Sequence, residues 1–148
     1  MAWVMFGKFI QSQFEGAPKG QIDFNSTDLR ILLLTSAGAP VTATAEDVAD
    51  MLAGSPVEVT GSNYARKALA SEAVTISSVT VTIDASDPTA YSQHASGFSD
   101  ARYAVLYVET SSDATTTLVA YYDLGANKSN KTGTLTLALS AAGIFTVA

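Results

Sequence analysis

Residues 102–125 read "RYAVLYVETSSDATTTLVAYYDLG". Two apolar runs flank a short polar break, "SSDA" at 111–114. The first run, "RYAVLYVET", is almost continuously apolar, which predicts a central strand covered on both faces. The second, "TTTLVAYYDLG", is rich in β-branched and aromatic residues, so it is predicted to pair with the first across the "SSDA" turn. A hairpin with a doubly covered strand sets the class, and the remaining segments are read outward from it.

Upstream, "LRILLL" (Leu29–Leu34) is a second continuous apolar run and is predicted to be a buried strand. "PVEVTG" and "NYARKAL" are candidate strands around Gly61, the latter with Tyr64 and Leu69 inward and Arg66 and Lys67 outward. "VTISSVTVTID" (Val74–Asp84) alternates in its second half, with Val79, Val81 and Ile83 on one side and Thr80 and Thr82 on the other. Downstream, "TLTLALS" alternates Leu135, Leu137 and Leu139 with small or polar residues, and "IFTVA" reads as a short final strand after Gly143. "ASDPTAYSQHASGFSD" and "ANKSNKTG" are polar loops. Six to eight short strands with turn signals between them predict a mainly β protein, a β-sandwich or small barrel formed by one domain over 1–148.

Two helices are expected beside it. In "MAWVMFGKFIQSQFEG" (1–16), Trp3, Phe6, Ile10 and Phe14 share one side of a helical wheel, with Ala2 and Phe9 on its flank. Lys8, Gln11, Ser12 and Glu15 gather opposite, and Gly16 with Pro18 is a stop signal. Val4 and Met5 fall off the stripe, toward water. The stripe either packs on the β body or docks on a neighbouring subunit. A change of both Val4 and Met5 to Ser is then expected to weaken assembly and spare folding. "TAEDVADMLAG" predicts a short helix with Thr44 as N-cap, Glu46 and Asp47 in the first turn, and Val48, Met51 and Leu52 inward.

Composition excludes several function classes. The 148 residues are 47% hydrophobic and only 15% charged, with a net charge of −6. Eight basic residues against fourteen acidic ones do not supply the clustered cations that nucleic acid or anionic membrane requires. There is no cysteine, so disulfides and thiolate metal sites are ruled out. Lys8 interrupts the opening apolar run, and the Gln11-Ser12-Gln13 segment that follows is unlike a signal peptide or a bilayer span, so synthesis in the cytoplasm is expected.

Candidate chemistry is sparse. His94 is the only histidine and lies in a polar loop without a partner His or Cys, or a G-x-S-x-G elbow. Asp84, Asp87 and Asp100 flank that loop. They read either as an Asx-turn leading into Pro88 or as a calcium site without the EF-hand glycine and distal glutamate. No glycine pattern cradles phosphate. Asn25, Asn127 and Asn130 sit in N-x-[ST] triplets that read as polar turns. Arg66 and Lys67 are either an outward basic pair or contacts for an acidic partner. No catalytic residue, cofactor site or metal site is assigned.

The order of elements is more informative. A helix ending at a glycine is followed by "IDF", "DLRILLL", the acidic "EDVADML", "GSNYARKAL", "VTID", "AYSQ", "LVAYYDLG" and a terminal "GIFTVA". This resembles a group of small virion structural proteins of tailed bacteriophages, capsid decoration (cement) proteins and other head or tail components, along almost the whole chain. Tyr91 stands where the family has tryptophan, and the last segment carries leucines instead of tryptophan. The resemblance implies a non-enzymatic protein on the capsid surface. Its partner would be the major capsid protein, and it would form a homo-oligomer, a trimer being one form. The alternative is a neck, tail or fibre-associated component, with host glycan stacked on exposed aromatics such as Tyr91 and Phe98. The residues expected at a protein interface are Trp3, Val4, Met5, Phe6, Phe9, Arg66 and Lys67.

Overall fold

A computed structural model describes residues 3–16, 20–25 and 27–147. The predicted helical positions Met1 and Ala2, the stop at Pro18 and the final strand residue Ala148 lie outside the described residues.

Eight strands form two antiparallel sheets. In chain order they are β1 (Val4–Met5), β2 (Leu29–Thr35), β3 (Lys67–Ala68), β4 (Ala73–Ser77), β5 (Thr80–Asp84), β6 (Ala101–Val108), β7 (Thr117–Lys128) and β8 (Phe145–Val147). Helices α1 (Gly7–Glu15) and α2 (Val48–Leu52) flank them. The larger sheet has the order β1-β7-β6-β2-β3 and the smaller β4-β5-β8. The chain is therefore mainly β, a small sandwich of two open sheets rather than a closed barrel.

The opening stretch folds as its pattern demands. β6 is the middle strand of the large sheet, and Val105, Leu106 and Tyr107 are buried in succession. Its register places Leu33, Ala104 and Tyr122 in one cross-strand row and Leu32, Val105 and Tyr121 in the next. Neighbouring rows point to opposite faces, so β2 and β6 need cover on both sides. Trp3, Leu137 and Leu139 lie against the face of Ala104 and Tyr122. One hydrophobic cluster joins the two sheets, from Leu29 and Val105 to Ile83 and Ile144.

Several elements depart from the sequence pattern. "TLTLALS" forms no ladder; only Leu135 bridges, to Tyr91, while Leu137 is buried and Leu139 packs on the core. Its alternation reflects one-sided burial of an extended segment. "PVEVTG" likewise contributes a single bridge, Leu34 to Glu58. "VTISSVTVTID" is two strands, not one: β4 and β5 pair across a turn at Ser78 and Val79, with Ser78 at φ +56°. Val79 is thus a turn residue and not a member of the Val81–Ile83 face. α2 begins later than expected. Asp47, not Thr44, is its N-cap and accepts from Asp50 N at 2.8 Å. Buried Thr116 fixes the same end, accepting from Val48 N at 3.0 Å and donating to Asp113 O at 2.7 Å.

The N-terminal helix is the largest correction. Residues 4–5 are not helical but form an edge strand, Val4 opposite Tyr121 and Met5 opposite Ala120. Phe6 continues that pairing by donating to Val119 O at 3.0 Å, and α1 starts only at Gly7. The free edge of β7 offers hydrogen bonds that a lengthened helix would forgo, so tertiary pairing overrides the wheel. Gly16 ends α1 as expected, at φ +71° with its N–H bonded to Ser12 O.

Candidate functional site

Antiparallel partners point to the same face of a sheet. In the small sheet Val74 opposes Ile83, Ile76 opposes Val81, Val81 opposes Val147 and Ile83 opposes Phe145. One face is therefore entirely apolar: Val74, Ile76, Val81, Ile83, Phe145 and Val147. The other carries Thr75, Ser77, Thr80, Thr82, Asp84 and Thr146.

Only half of the apolar face is covered. At its inner end, Phe9, Phe24 and Phe145 meet edge to face, with ring centroids 5.9–6.4 Å apart. Such triads hold α1 and β8 on one core. At its outer end, Ile76 is 73% exposed and Val147 48%, and Val79 at the turn is 80% exposed.

The helix continues this surface. α1 buries Phe9 and Ser12, not the expected stripe; Ser12 satisfies its hydroxyl by donating to Lys8 O at 2.8 Å. Ile10 and Phe14, expected inward, face out, and Phe14 is 83% exposed. The short helix cannot rotate to bury them, because buried Phe6 at its N-cap and Phe9 in its first turn already fix its roll. A groove of about 210 Å³ runs between α1 and the small sheet, with Phe9, Phe24 and Phe145 inside and Ile10, Phe14 and Val147 at its rim. Among the described residues, Gln13 is the one polar residue along it.

The residues expected at an interface are distributed differently. Phe6 and Phe9 are buried in the chain's own core. Trp3 packs on Tyr122 at 5.9 Å. Met5 is half-buried; Val4 pairs with β7 through its backbone while its side chain is exposed, as expected, so the two do not form one free surface, and their joint change to Ser would disturb the sheet edge. Tyr91 and Phe98, expected as exposed glycan platforms, are buried: Tyr91 stacks on Tyr64 and Phe98 meets both edge to face, the rings 5.7–6.0 Å apart.

Arg66 is committed within the chain. Its guanidinium donates to Glu58 Oε1 at 2.9 Å and Oε2 at 2.7 Å, and to Asp113 Oδ1 at 2.5 Å and Oδ2 at 2.9 Å. It also lies over the Tyr107 ring, 5.6 Å from the centroid. Tyr64 Oη donates to Glu58 Oε1 at 2.7 Å and accepts from Leu33 N at 3.1 Å. Burial pushes the Tyr64 hydroxyl far up, and hydrogen bonding to both carboxylates raises Arg66 further above its usual range. Lys67 sits over the Tyr91 ring at 5.0 Å. Arg66 is thus a structural clamp between the 58–66 segment and the turn before β7, and Lys67 lies instead against the loop that carries Tyr91.

The clamp has a pH signature. Hydrogen bonding to Arg66 holds the Asp113 carboxyl below its ordinary range. A lowered folded-state pKa gives stability that is present above the normal carboxylate range and is lost as pH falls through the lowered value. Asp113→Asn should flatten the acid side of a plot of Tm against pH. Arg66→Ala, which strands Glu58, should cost about 2 kcal/mol, and Arg66→Lys should recover only part of it, lacking the forked geometry.

The sequence reading missed a second clamp. Asn130, taken as a polar turn, is fully buried. Its Oδ1 accepts from Phe98 N at 2.8 Å, and its Nδ2 donates to Ser92 O at 3.0 Å and Ser62 O at 3.2 Å. It ties three loops together. The space is tight: a Cβ on Gly97 would overlap Asn130 Oδ1, and Gly61, at φ +147°, brings its backbone against Gly97.

The chain matches no family model, no curated protein and no solved structure. The site must therefore be read from its own residues. His94 uses Nδ1 to accept from Ser96 N at 3.0 Å. Asp84 accepts from Ala85 N at 2.9 Å and Asp87 from Leu139 N at 2.7 Å, so both carboxylates accept from backbone, the first locally and the second from the distant 135–139 segment. Among the described residues no three His, Asp or Glu side chains gather to hold a metal ion, and no helix is long and apolar enough to cross a membrane. Among the described residues, the uncovered apolar face is an extended feature with no internal role.

Proposed function

We propose that this chain is a non-enzymatic structural protein of a tailed-phage virion: a capsid decoration protein, made in the host cytoplasm, that binds the major capsid protein lattice and stabilises the head. The observation that marks it as an assembling protein is the exposed apolar surface of Ile10, Phe14, Ile76, Val79 and Val147 on a chain with few charges. Contiguous exposed apolar surface of a few hundred Å² marks an interaction site. The virion setting rests on the order of elements that resembles the phage proteins.

The two clamps support the same reading. The polar side chains of the two clamps, Tyr64, Arg66 and Asn130, stiffen the loops rather than converge on a ligand. A rigid body loses little entropy on docking, so more of the contact area is realised as binding, at roughly 25 cal/mol per Å² before ordering costs. Such binding across joints between capsid subunits resists internal pressure.

Quantitative gels of purified virions test the assignment. A copy number comparable to that of the major capsid protein is expected. A few dozen copies or fewer would place the chain at the neck or tail instead.

A further inference from the structure

The exposed face has an unusual layout. Its projection and its groove lie side by side on one surface. The projection is the β4–β5 turn with Ile76 and Val79; the groove lies between α1 and β8. They adjoin because Val147, at the groove rim, pairs with Val81, two residues from Val79. A two-fold rotation about an axis lying in the plane of such a face, between projection and groove, carries each projection onto the other copy's groove. That is the self-complementarity an isologous pair needs.

Two further observations favour a second copy over another occupant. First, among the described residues the groove lining and the apolar sheet face carry no charged side chain. A chain of net charge −6 repels its copy over most of its surface, and this face is where two copies meet without opposing like charges. An acidic or basic partner would find nothing here to select it. Second, the area suffices. Five side chains at these exposures leave roughly 500 Å² of apolar surface in water. Two such faces with their polar margins reach the range of about 1,000–1,200 Å² where specific interfaces begin.

We propose that this face pairs with a second copy of the chain, the Ile76–Val79 turn of each seated in the groove between α1 and β8 of the other. This rests on the reading of the face as an assembly surface and names its occupant. The capsid-facing surface is then elsewhere on the molecule.

The purified full-length chain is sufficient for the test, with no virion present. Sedimentation at about 10–100 μM should show a dimer. Ile76→Asp and Phe14→Asp should each weaken it at least tenfold, with unfolding temperatures close to that of the parent because both side chains are exposed in the monomer. The absence of cysteine makes a second readout clean. Single variants Val79→Cys and Phe14→Cys, mixed and mildly oxidised, should give a disulfide-linked dimer of one of each. A monomer throughout that range overturns the proposal, as does a dimer that neither aspartate variant affects or a mixture that yields no mixed dimer. None of these results bears on the copy number in virions, so failure of the pairing is distinct from failure of the virion assignment.

Discussion

Phe6→Ala should lower the stability of the chain by about 3–5 kcal/mol, the usual cost of emptying a fully buried phenylalanine site. For a chain of this size the unfolding temperature should fall by roughly 10–15 °C. Phe6 has no exposed surface, its ring meets Tyr121 edge to face at 6.3 Å, and its N–H closes the β1–β7 pairing. Residue 6 is the hinge at which the chain turns from strand to helix, so its loss should also loosen the roll of α1. A docking residue would behave oppositely, with unchanged unfolding and weakened assembly. Thermal unfolding of the purified variant decides between the two roles.

Asn130→Asp is the sharper test of the loop clamp, because it changes one atom of the side chain and little of its volume. A carboxylate keeps the acceptor for Phe98 N but cannot donate to Ser62 O or Ser92 O. It would also place a negative charge beside two carbonyl oxygens in a buried site. The expected loss is about 3 kcal/mol at neutral pH. The introduced carboxyl should titrate above its ordinary range, since burial and the two carbonyls both oppose its charge. A raised folded-state pKa makes the penalty small at acid pH and larger as pH rises through the unfolded value. Chemical denaturation of the parent and the variant at pH 3.5 and pH 7 should therefore give a gap that widens with pH. Equal stability at pH 7 would show that Asn130 is not a clamp.

The large sheet was legible because its strands announce themselves. Continuous apolar runs at Leu29–Leu34 and across β6 leave few alternatives to doubly covered strands, and the "SSDA" break fixes their partner. The small sheet was harder. "SSVT" contains no glycine or Asn-Gly signal, and the turn depends on Ser78 accepting a left-handed conformation. The N-terminal wheel misled because a period of three to four was counted through residues that a sheet edge had claimed. Trp3, Phe6, Ile10 and Phe14 line up on paper, yet the first two are held by β7 and the last two face water.

The candidate surface was invisible for a related reason. It is made of residues 10, 14, 76, 79 and 147, brought together only when β8 pairs with β5 and α1 packs on both through Phe9. Nothing in their spacing predicts adjacency. Conversely, Arg66 and Asn130 look like surface residues in a one-dimensional reading, and their use as clamps follows from partners 32 to 68 positions away.

Assembly by apolar burial is tested most directly by a cryo-EM map of the intact virion, at a resolution that places α1 and the small sheet. The chain should sit on the outside of the head, over joints between capsid subunits, with Phe14, Ile76 and Val147 covered by neighbouring protein. Density confined to the neck or tail would contradict the capsid role. A head-bound copy whose apolar face stands open to solvent would contradict the mode of binding.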